Sequence, residues 1–378
     1  MNIFENVFSG IRQYLLKNTS IISIVQGLSE FENVNSGQVI LHFSSIIADK
    51  NTFFYLKDGI YGEEVKVSQN SCLKDELCRF ILPSKNKFYK KCLNLSEIGK
   101  VSTGVNIGGA SKIFLSNSKL DDNYLPFIST KTLKCKYQHI VEQGVYINFS
   151  KKLVDSVNFE NKLKGSKNIV VLGDVERFLK EKIFIRQSAP EIVCSFDDQA
   201  KVSPYSMFLF NIYPNKKHLF SLKYVLAILN SSVITHYARE NKIIKIGKGK
   251  QPQIRKKGLD QLLIKKPTSS EATLFEELVS MVQFTKREGM EIPAAFLEEL
   301  IDACVLELYF PEEAAAKDLQ FIDPVSDLLK GESEPSQTFI ETFVATANAP
   351  DHPIRNKLDR LIADSPDLFA VIKQEGQV

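Results

Sequence analysis

Apolar residues recur at Phe4, Val7, Phe8, Ile11 and Leu15, a stripe with helical period that predicts a helix over residues 3–17. Alternating runs then predict strands over 21–25 and 38–43. Two short strands and one helix cannot enclose a core. This start is therefore expected to lean on other structure, either the rest of the chain or a preceding partner segment. Strand-like stretches follow over 52–69, and a lysine-rich connection through Lys85, Lys87, Lys90 and Lys91 reads as a boundary.

From Leu93 onward the pattern changes to short β-rich segments at 113–115, 144–149, 169–172, 183–186, 192–196 and 207–212, separated by Gly, Pro, Asn and Asp. An amphipathic helix is predicted over 222–239. Beyond Glu271, Leu274, Leu278, Met281, Val282 and Phe284 take helical spacing, as do Phe296, Leu300, Ile301, Val305 and Leu308 after Pro293. Further helices are expected over 336–347 and 354–374, with Gly331 to Gln337 as a short linker. The expected fold is mixed α/β of the α+β kind: an α/β fragment over 1–70, a linker over 71–93, a β-rich domain over 94–270 and a helical region over 271–378.

Composition changes this picture little. The 44% hydrophobic content and 10% aromatics are ordinary for a globular chain. No apolar run approaches the roughly 18 to 20 residues of a membrane helix, and Glu5 and Arg12 interrupt the N-terminal apolar stretch, unlike a signal peptide. A cytoplasmic protein without a membrane partner is expected. Cys72, Cys78, Cys92, Cys135, Cys194 and Cys304 form no Cys-x-x-Cys pair, and the five histidines are dispersed, so neither a metal site nor a histidine-based nucleophile relay is expected.

Charge does change it. Of 48 Lys+Arg and 45 Asp+Glu, residues 301–378 hold 6 and 15, leaving 42 and 30 for the first 300 residues, a surplus of 12 cations. A basic body of this kind attracts polyanions, of which nucleic acid is the commonest inside cells.

Four segments could carry chemistry. Lys242, Lys245, Lys248, Lys250, Arg255, Lys256 and Lys257 place seven cations within sixteen residues, interrupted by Gly247, Gly249 and Pro252. A solvated loop and a phosphate-contacting loop both fit, and the position after a helix in the basic part favours the second. The spacing G-x-x-x-x-G-K-[ST] of nucleotide-hydrolysing loops is absent. The run from Thr103 to Lys112 holds three glycines and small polar groups, and is either a tight structural turn or a ligand loop. Asp58 with Glu64 and Lys66 loosely resembles a nuclease arrangement, a spacing that chance produces often. Arg186 and Gln187 end a predicted strand. Both can bond base edges in bidentate fashion, although a local salt bridge of Arg186 to an acidic neighbour is an equal alternative.

Taken in order, four segments resemble the TaqI-like C-terminal specificity domain of type IIG restriction-modification enzymes and related adenine-specific DNA methyltransferases. They are Leu95-Ser-Glu-Ile-Gly-Lys-Val-Ser-Thr-Gly-Val-Asn-Ile-Gly108 running to Phe114; Lys182-Ile-Phe-Ile-Arg-Gln187 with Phe196-Asp-Asp198; Leu222-Lys-Tyr-Val-Leu-Ala-Ile-Leu-Asn-Ser231; and the stretch from Leu259 to Pro267. The segment from Ile11 through Phe31 to Leu41 resembles the tail end of such a methyltransferase's catalytic domain, and Ile301 to Tyr309 the helix that often follows the specificity domain. The resemblance is clearest over 94–267.

What it implies is sequence-specific binding of duplex DNA. The same family carries a glycine motif for S-adenosylmethionine and an Asn/Asp-Pro-Pro-Tyr/Phe tetrapeptide that holds the flipped adenine, and this chain has no Pro-Pro anywhere. The chain alone is therefore expected to bind DNA without methylating it. No catalytic residue, metal or cofactor is assigned to it, and S-adenosylmethionine is expected in a separate methyltransferase catalytic domain or subunit. The candidate DNA contacts are Asn106, Lys112, Arg186, Gln187, Lys245, Lys248, Lys250, Gln253 and Arg255. The alternative is a docking subunit that assembles with a separate methyltransferase or nuclease.

Overall fold

A computed structural model describes residues 9–28, 38–49, 51–58, 64–74, 78, 80, 92–241, 243–245, 251–329 and 335–363. The chain divides into two units, Met1–Lys90 with Lys245–Pro252, and Lys91–Ile244 with Gln253–Val378. Its mixed α/β character is as the hydrophobic pattern predicts.

In the first unit α1 (Ser9–Asn18) leads into β1 (Ser20–Leu28), followed by β2 (Gln38–Ser44), β3 (Phe53–Asp58), β4 (Glu64–Ser68) and α2 (Gln69–Leu73). The sheet order is β2-β1-β3-β4, with β1 and β3 parallel and the outer pairs antiparallel. One face packs Leu16, Ile21, Ile24, Phe54, Leu56 and Val67 into a core. The buried Gln69 joins the pieces: its Nε2 donates to the carbonyls of Leu16 (2.9 Å) and Thr19 (2.6 Å), and its Oε1 accepts from Ile21 N (3.0 Å). It thereby satisfies carbonyls at the end of α1 that the helix itself leaves open. On the other face Ile40, Phe53 and Tyr55 stay about half exposed.

In the second unit the chain runs β5 (Cys92–Asn94), α3 (Leu95–Ile98), β6 (Gly99–Thr103), α4 (Ser111–Phe114), β7 (Leu115–Ser116), β8 (Tyr124–Pro126), β9 (Tyr146–Asn148) and α5 (Lys151–Leu163). It continues through α6 (Glu176–Leu179), β10 (Lys182–Arg186), β11 (Cys194–Asp197), β12 (Met207–Ile212), α7 (Leu222–Asn230) and α8 (Ser232–Glu240). The chain then passes β13 (Ile244–Lys245), β14 (Gln253–Ile254), α9 (Lys256–Leu259) and β15 (Leu263–Lys265). Six helices complete the described part: α10 (Ser269–Glu288), α11 (Glu291–Tyr309), α12 (Pro311–Ala316), α13 (Ile322–Leu329), α14 (Gln337–Ala347) and α15 (Pro353–Ala363).

The centre of this unit is the antiparallel sheet β11-β10-β12-β6. Ile183, Phe184 and Ile185 of β10 and Met207 to Phe210 of β12 are all buried. Such a continuous apolar run marks a strand covered on both faces. Phe184, Met207 and Leu209 join a core with Phe114, Ile147 and Phe178 on one side, while α7 packs against β10 and β11.

A buried ion cluster closes one end of the sheet. Lys182 and Asp197 are register partners across β10 and β11. Lys182 Nζ lies 2.7 Å from Asp197 Oδ2, and Lys201 Nζ lies 2.9 Å from Oδ1. Lys182 also donates to the carbonyls of Phe178 (2.7 Å) and Gln199 (2.5 Å), and Lys201 to Gln199 Oε1 (2.8 Å). Burial pulls the Lys182 pKa below its ordinary value, and the Asp197 carboxylate opposes that shift.

The expected single helix over 222–239 is two helices. Asn230 turns its side chain to the edge strand β11, accepting from Cys194 N at 2.8 Å and donating to Cys194 O at 3.1 Å. Ser231 is extended (φ −70°, ψ 149°) and caps α8 by accepting from Ile234 N. Two further expectations are corrected. Ile113 and Phe114 belong to the one-turn helix α4, because Ala110 O accepts from both their amides. Residues 169–172 are extended but form only an isolated bridge at Val171. The hydrophobic pattern gives no sign of helix α5.

The strands that open and close this unit, β5 and β15, pair with each other. Tyr224 OH donates to Lys265 O (2.8 Å) and Tyr309 OH to Leu263 O (2.7 Å), so helices α7 and α11 both hold β15. Ser232 N donates to Asp302 Oδ1 at 3.0 Å, fixing α11 to the start of α8. Residues 253–363 thus share one unit with residues 91–244.

Removing the charge of Asp197 tests the cluster. Asp197→Asn leaves two buried ammonium groups without their carboxylate, and it is expected to lower the stability of this unit by about 3–5 kcal/mol. Urea denaturation followed by circular dichroism measures the loss.

Candidate functional site

Three strand ends meet at the sheet edge opposite Lys182 and Asp197. Arg186 ends β10 and pairs with Met207 at the start of β12, and Phe208 pairs with Thr103 at the end of β6. The segments leaving these ends are Gln187–Ser188, the glycine loop after Thr103 and the turn Pro204-Tyr205-Ser206. A fourth joins them, because Ile254 N donates to Gln187 O at 2.9 Å and brings Gln253 and Arg255 alongside.

The structure places the expected contacts unequally. Arg186 and Gln187 are half-buried. Among the described residues the Arg186 guanidinium takes no ion pair and no side-chain hydrogen bond, so the local salt bridge does not form. Gln253, Arg255 and Lys112 are exposed, Lys112 on α4 and Arg255 directly before α9. Of their neighbours, Lys256 pairs with Asp260 at 3.3 Å. Asn106 is exposed and already employed: its Oδ1 accepts from Gly108 N at 3.0 Å, and its backbone bonds Val171 in both directions. Lys245 belongs to the segment that clusters with the first unit. Lys248 and Lys250 lie outside the described residues.

The glycines of the loop serve its backbone. A Cβ at residue 104 would stand 2.1 Å from Pro204 O, because Val105 bridges to Pro204 there. Gly108 and Gly109 take φ values of +54° and +84°, which L-residues adopt only under strain. These observations favour the structural turn over a ligand cradle. The Glu64 and Lys66 pair lies on the β3–β4 hairpin, where Lys66 Nζ sits 4.8 Å from the Phe53 ring. Among the described residues no group of three or more His, Cys, Asp or Glu comes together, and no helix is long and apolar enough to cross a membrane.

Sequence reasoning missed Tyr205, which is 54% exposed in the turn beside Arg186's strand partner. Its neighbour Ser206 bonds Thr130 at 3.5 Å. A Pro-Tyr-Ser turn directly before a strand was the available signal, and it carries no charge to draw notice.

Residues 126–264 match the family described as the TaqI-like C-terminal specificity domain. The match holds Arg186, Gln187, Gln253 and Arg255, whereas Asn106 and Lys112 precede it. Among solved structures the chain is similar to the type IIL restriction-modification enzyme MmeI, solved in complex with DNA, at 10% identity and TM-score 0.37, covering 93% of this chain and 49% of that one. It is also similar to the type IIG restriction endonuclease BpuSI at 13% identity and TM-score 0.33, covering 79% of this chain and 45% of that one. The chain thus spans about half the length of these proteins. No curated protein matches it.

Substitution separates the two kinds of glycine. Gly109→Ala meets nothing within 4 Å and is expected to cost about 1–2 kcal/mol from its left-handed backbone alone. Gly104→Ala must displace the backbone of Pro204 and is expected to shift the denaturation midpoint further, and to weaken any ligand bound at this end of the sheet.

Proposed function

We propose that this chain recognises duplex DNA in a sequence-specific manner, as the specificity part of a restriction-modification adenine-N6 DNA methyltransferase. The match of residues 126–264 to a specificity domain carries the reading. The convergence of Arg186, Gln187, Gln253 and Arg255 at one sheet end supports it. An arginine at a strand end without an ion pair among the described residues, followed by a glutamine, offers the side chains that bond guanine and adenine edges. The exposed cations Lys112, Arg255 and Lys257 suit phosphates, which set register without reading sequence.

Methyl transfer requires more than this sequence holds. With no Pro-Pro step in the chain, the flipped adenine and S-adenosylmethionine are assigned to a methyltransferase catalytic domain or subunit outside it. A docking role is a second reading with its own support: Ile40, Phe53 and Tyr55 stay about half exposed on one face of the first unit's sheet, beside Lys66. Under that reading the catalytic partner covers this face.

Fluorescence anisotropy with duplex pools over a salt series tests the proposal. Arg186→Ala is expected to weaken the selected site by about 1–3 kcal/mol and to relax one base position, with the fold intact. Joint replacement of Lys245, Lys248 and Lys250 by Ala is expected to weaken all duplexes alike. It should also lower the slope of log affinity against log salt by roughly 0.9 for each phosphate that is no longer neutralised. Binding of single-stranded RNA in preference to duplex DNA would sink the reading.

A further inference from the structure

Between α5 and α6, residues 168–172 run extended along the surface without joining a sheet. Asn158 of α5 holds Val170 at both backbone groups, donating to its carbonyl at 3.0 Å and accepting from its amide at 2.8 Å. Val171 exchanges backbone hydrogen bonds with Asn106 in both directions, at 2.8 and 2.7 Å. Four hydrogen bonds thus fix two consecutive residues. Alternation then sends Val170 and Leu172 into the core and leaves Ile169 and Val171 outward, 59% and 52% exposed.

Single exposed aliphatic residues are common and need no explanation. This pair differs in three respects. Both side chains are β-branched and therefore stiff, on a strap that cannot turn them inward. They adjoin Asn106, whose Nδ2 is not used by the turn that engages its Oδ1. Exposed lysines stand on the neighbouring segments, Lys112 before and Lys167 beside the strap, and these cations suit a polyanion although the exposed Asp174 and Glu176 follow the strap. An amide group beside fixed methyl groups matches the major-groove edge of an A·T pair, which offers adenine N6 and N7 on one side and the thymine 5-methyl on the other.

We infer that Ile169 and Val171 form, with Asn106, a reader of one A·T pair, the aliphatic side chains contacting the thymine 5-methyl group. This rests on the duplex-DNA reading above and assigns part of its specificity to residues outside the strand-end cluster. A hydrophobic reader of this type discriminates thymine from uracil and needs no ion pair.

The experiment uses the full chain and its selected duplex, with each thymidine of the site replaced in turn by deoxyuridine, which removes only the 5-methyl group. One position is expected to lose about fourfold in affinity for the wild-type chain, the weight of one buried methyl. The Ile169→Ala/Val171→Ala double variant should bind the thymidine duplex more weakly and bind thymidine and deoxyuridine equally at that position. Both side chains are exposed, so an unchanged circular dichroism spectrum and melting curve are expected for it. Duplex binding by the wild type with no thymidine preference anywhere in the site overturns this inference alone, as does a preference that the double variant retains. No salt-sensitive duplex binding by the wild type overturns the DNA reading and this inference with it.

Discussion

One carboxylate, enclosed between two ammonium groups, governs the sheet of the second unit. Taking these ions out of water costs several kcal/mol for each, and their attraction offsets this only with good geometry and further hydrogen bonds. Asp197 and Lys182 face each other in register, and backbone carbonyls take the remaining Lys182 protons. A one-residue slip of β11 would turn Asp197 to the opposite face and leave two buried cations behind. The ion cluster thereby fixes the register of β10 against β11.

At the other end of the same strand the backbone pairs as usual, and the Arg186 side chain takes no ion pair among the described residues. Lys182 and Arg186 lie four residues apart in β10, about 13 Å in extended chain. The first is wholly buried and bonded by the fold, and the second is half-buried and takes no ion pair among the described residues. Asn230 works in the same sense from α7, replacing with its amide the partner strand that edge strand β11 lacks at Cys194. Gly104 permits the close approach of Pro204 that leads the loop away from the sheet. The segments that resemble the specificity family are thus mostly the ones that hold the scaffold, which explains why recognition residues are harder to pick out among them.

What could be read from the sequence follows the range of the forces involved. Helices α10 and α11 were legible as long periodic runs, and strands β10 and β12 by the continuous apolar runs within their five and six residues, with burial deciding the conformation of each. Residues 113–115 and 169–172 were not, since three or four apolar residues suit a strand, a helical turn or an irregular strap equally well. Their outcome depends on the partners their backbones find, Ala110 for the one and Asn106 with Asn158 for the other. Helix α5 escaped notice because only Val157 of its thirteen residues is buried, so it presents almost no apolar stripe. At the site, Arg186 and Gln187 were legible by chemistry, while Tyr205 and the Ile169–Val171 pair acquire meaning only from their neighbours. The Lys182–Asp197–Lys201 cluster was hidden for the same reason: charges distributed over twenty residues look solvated until the strands pair.

The acidic C-terminal region needs the same correction. Segment counts set fifteen acidic groups in residues 301–378 against a basic remainder, which suggests a negative surface that would repel phosphate. Part of that charge points inward. Asp302 accepts from Ser232 at the start of α8, and Glu307 Oε2 accepts from the amides of Phe321 and Ile322 at 2.5 and 2.7 Å, before α13. Burial raises the pKa of both carboxyls, and these hydrogen bonds oppose the rise. Asp318 is engaged outside, with Arg360 at 2.9 Å and Lys357 at 3.4 Å. Carboxylates that cap backbone amides and neutralise neighbouring cations contribute little field at a distance, and salt at physiological strength screens the rest within about 8 Å. Net charge by segment describes the composition of this chain, and the burial of each charge decides its electrostatics.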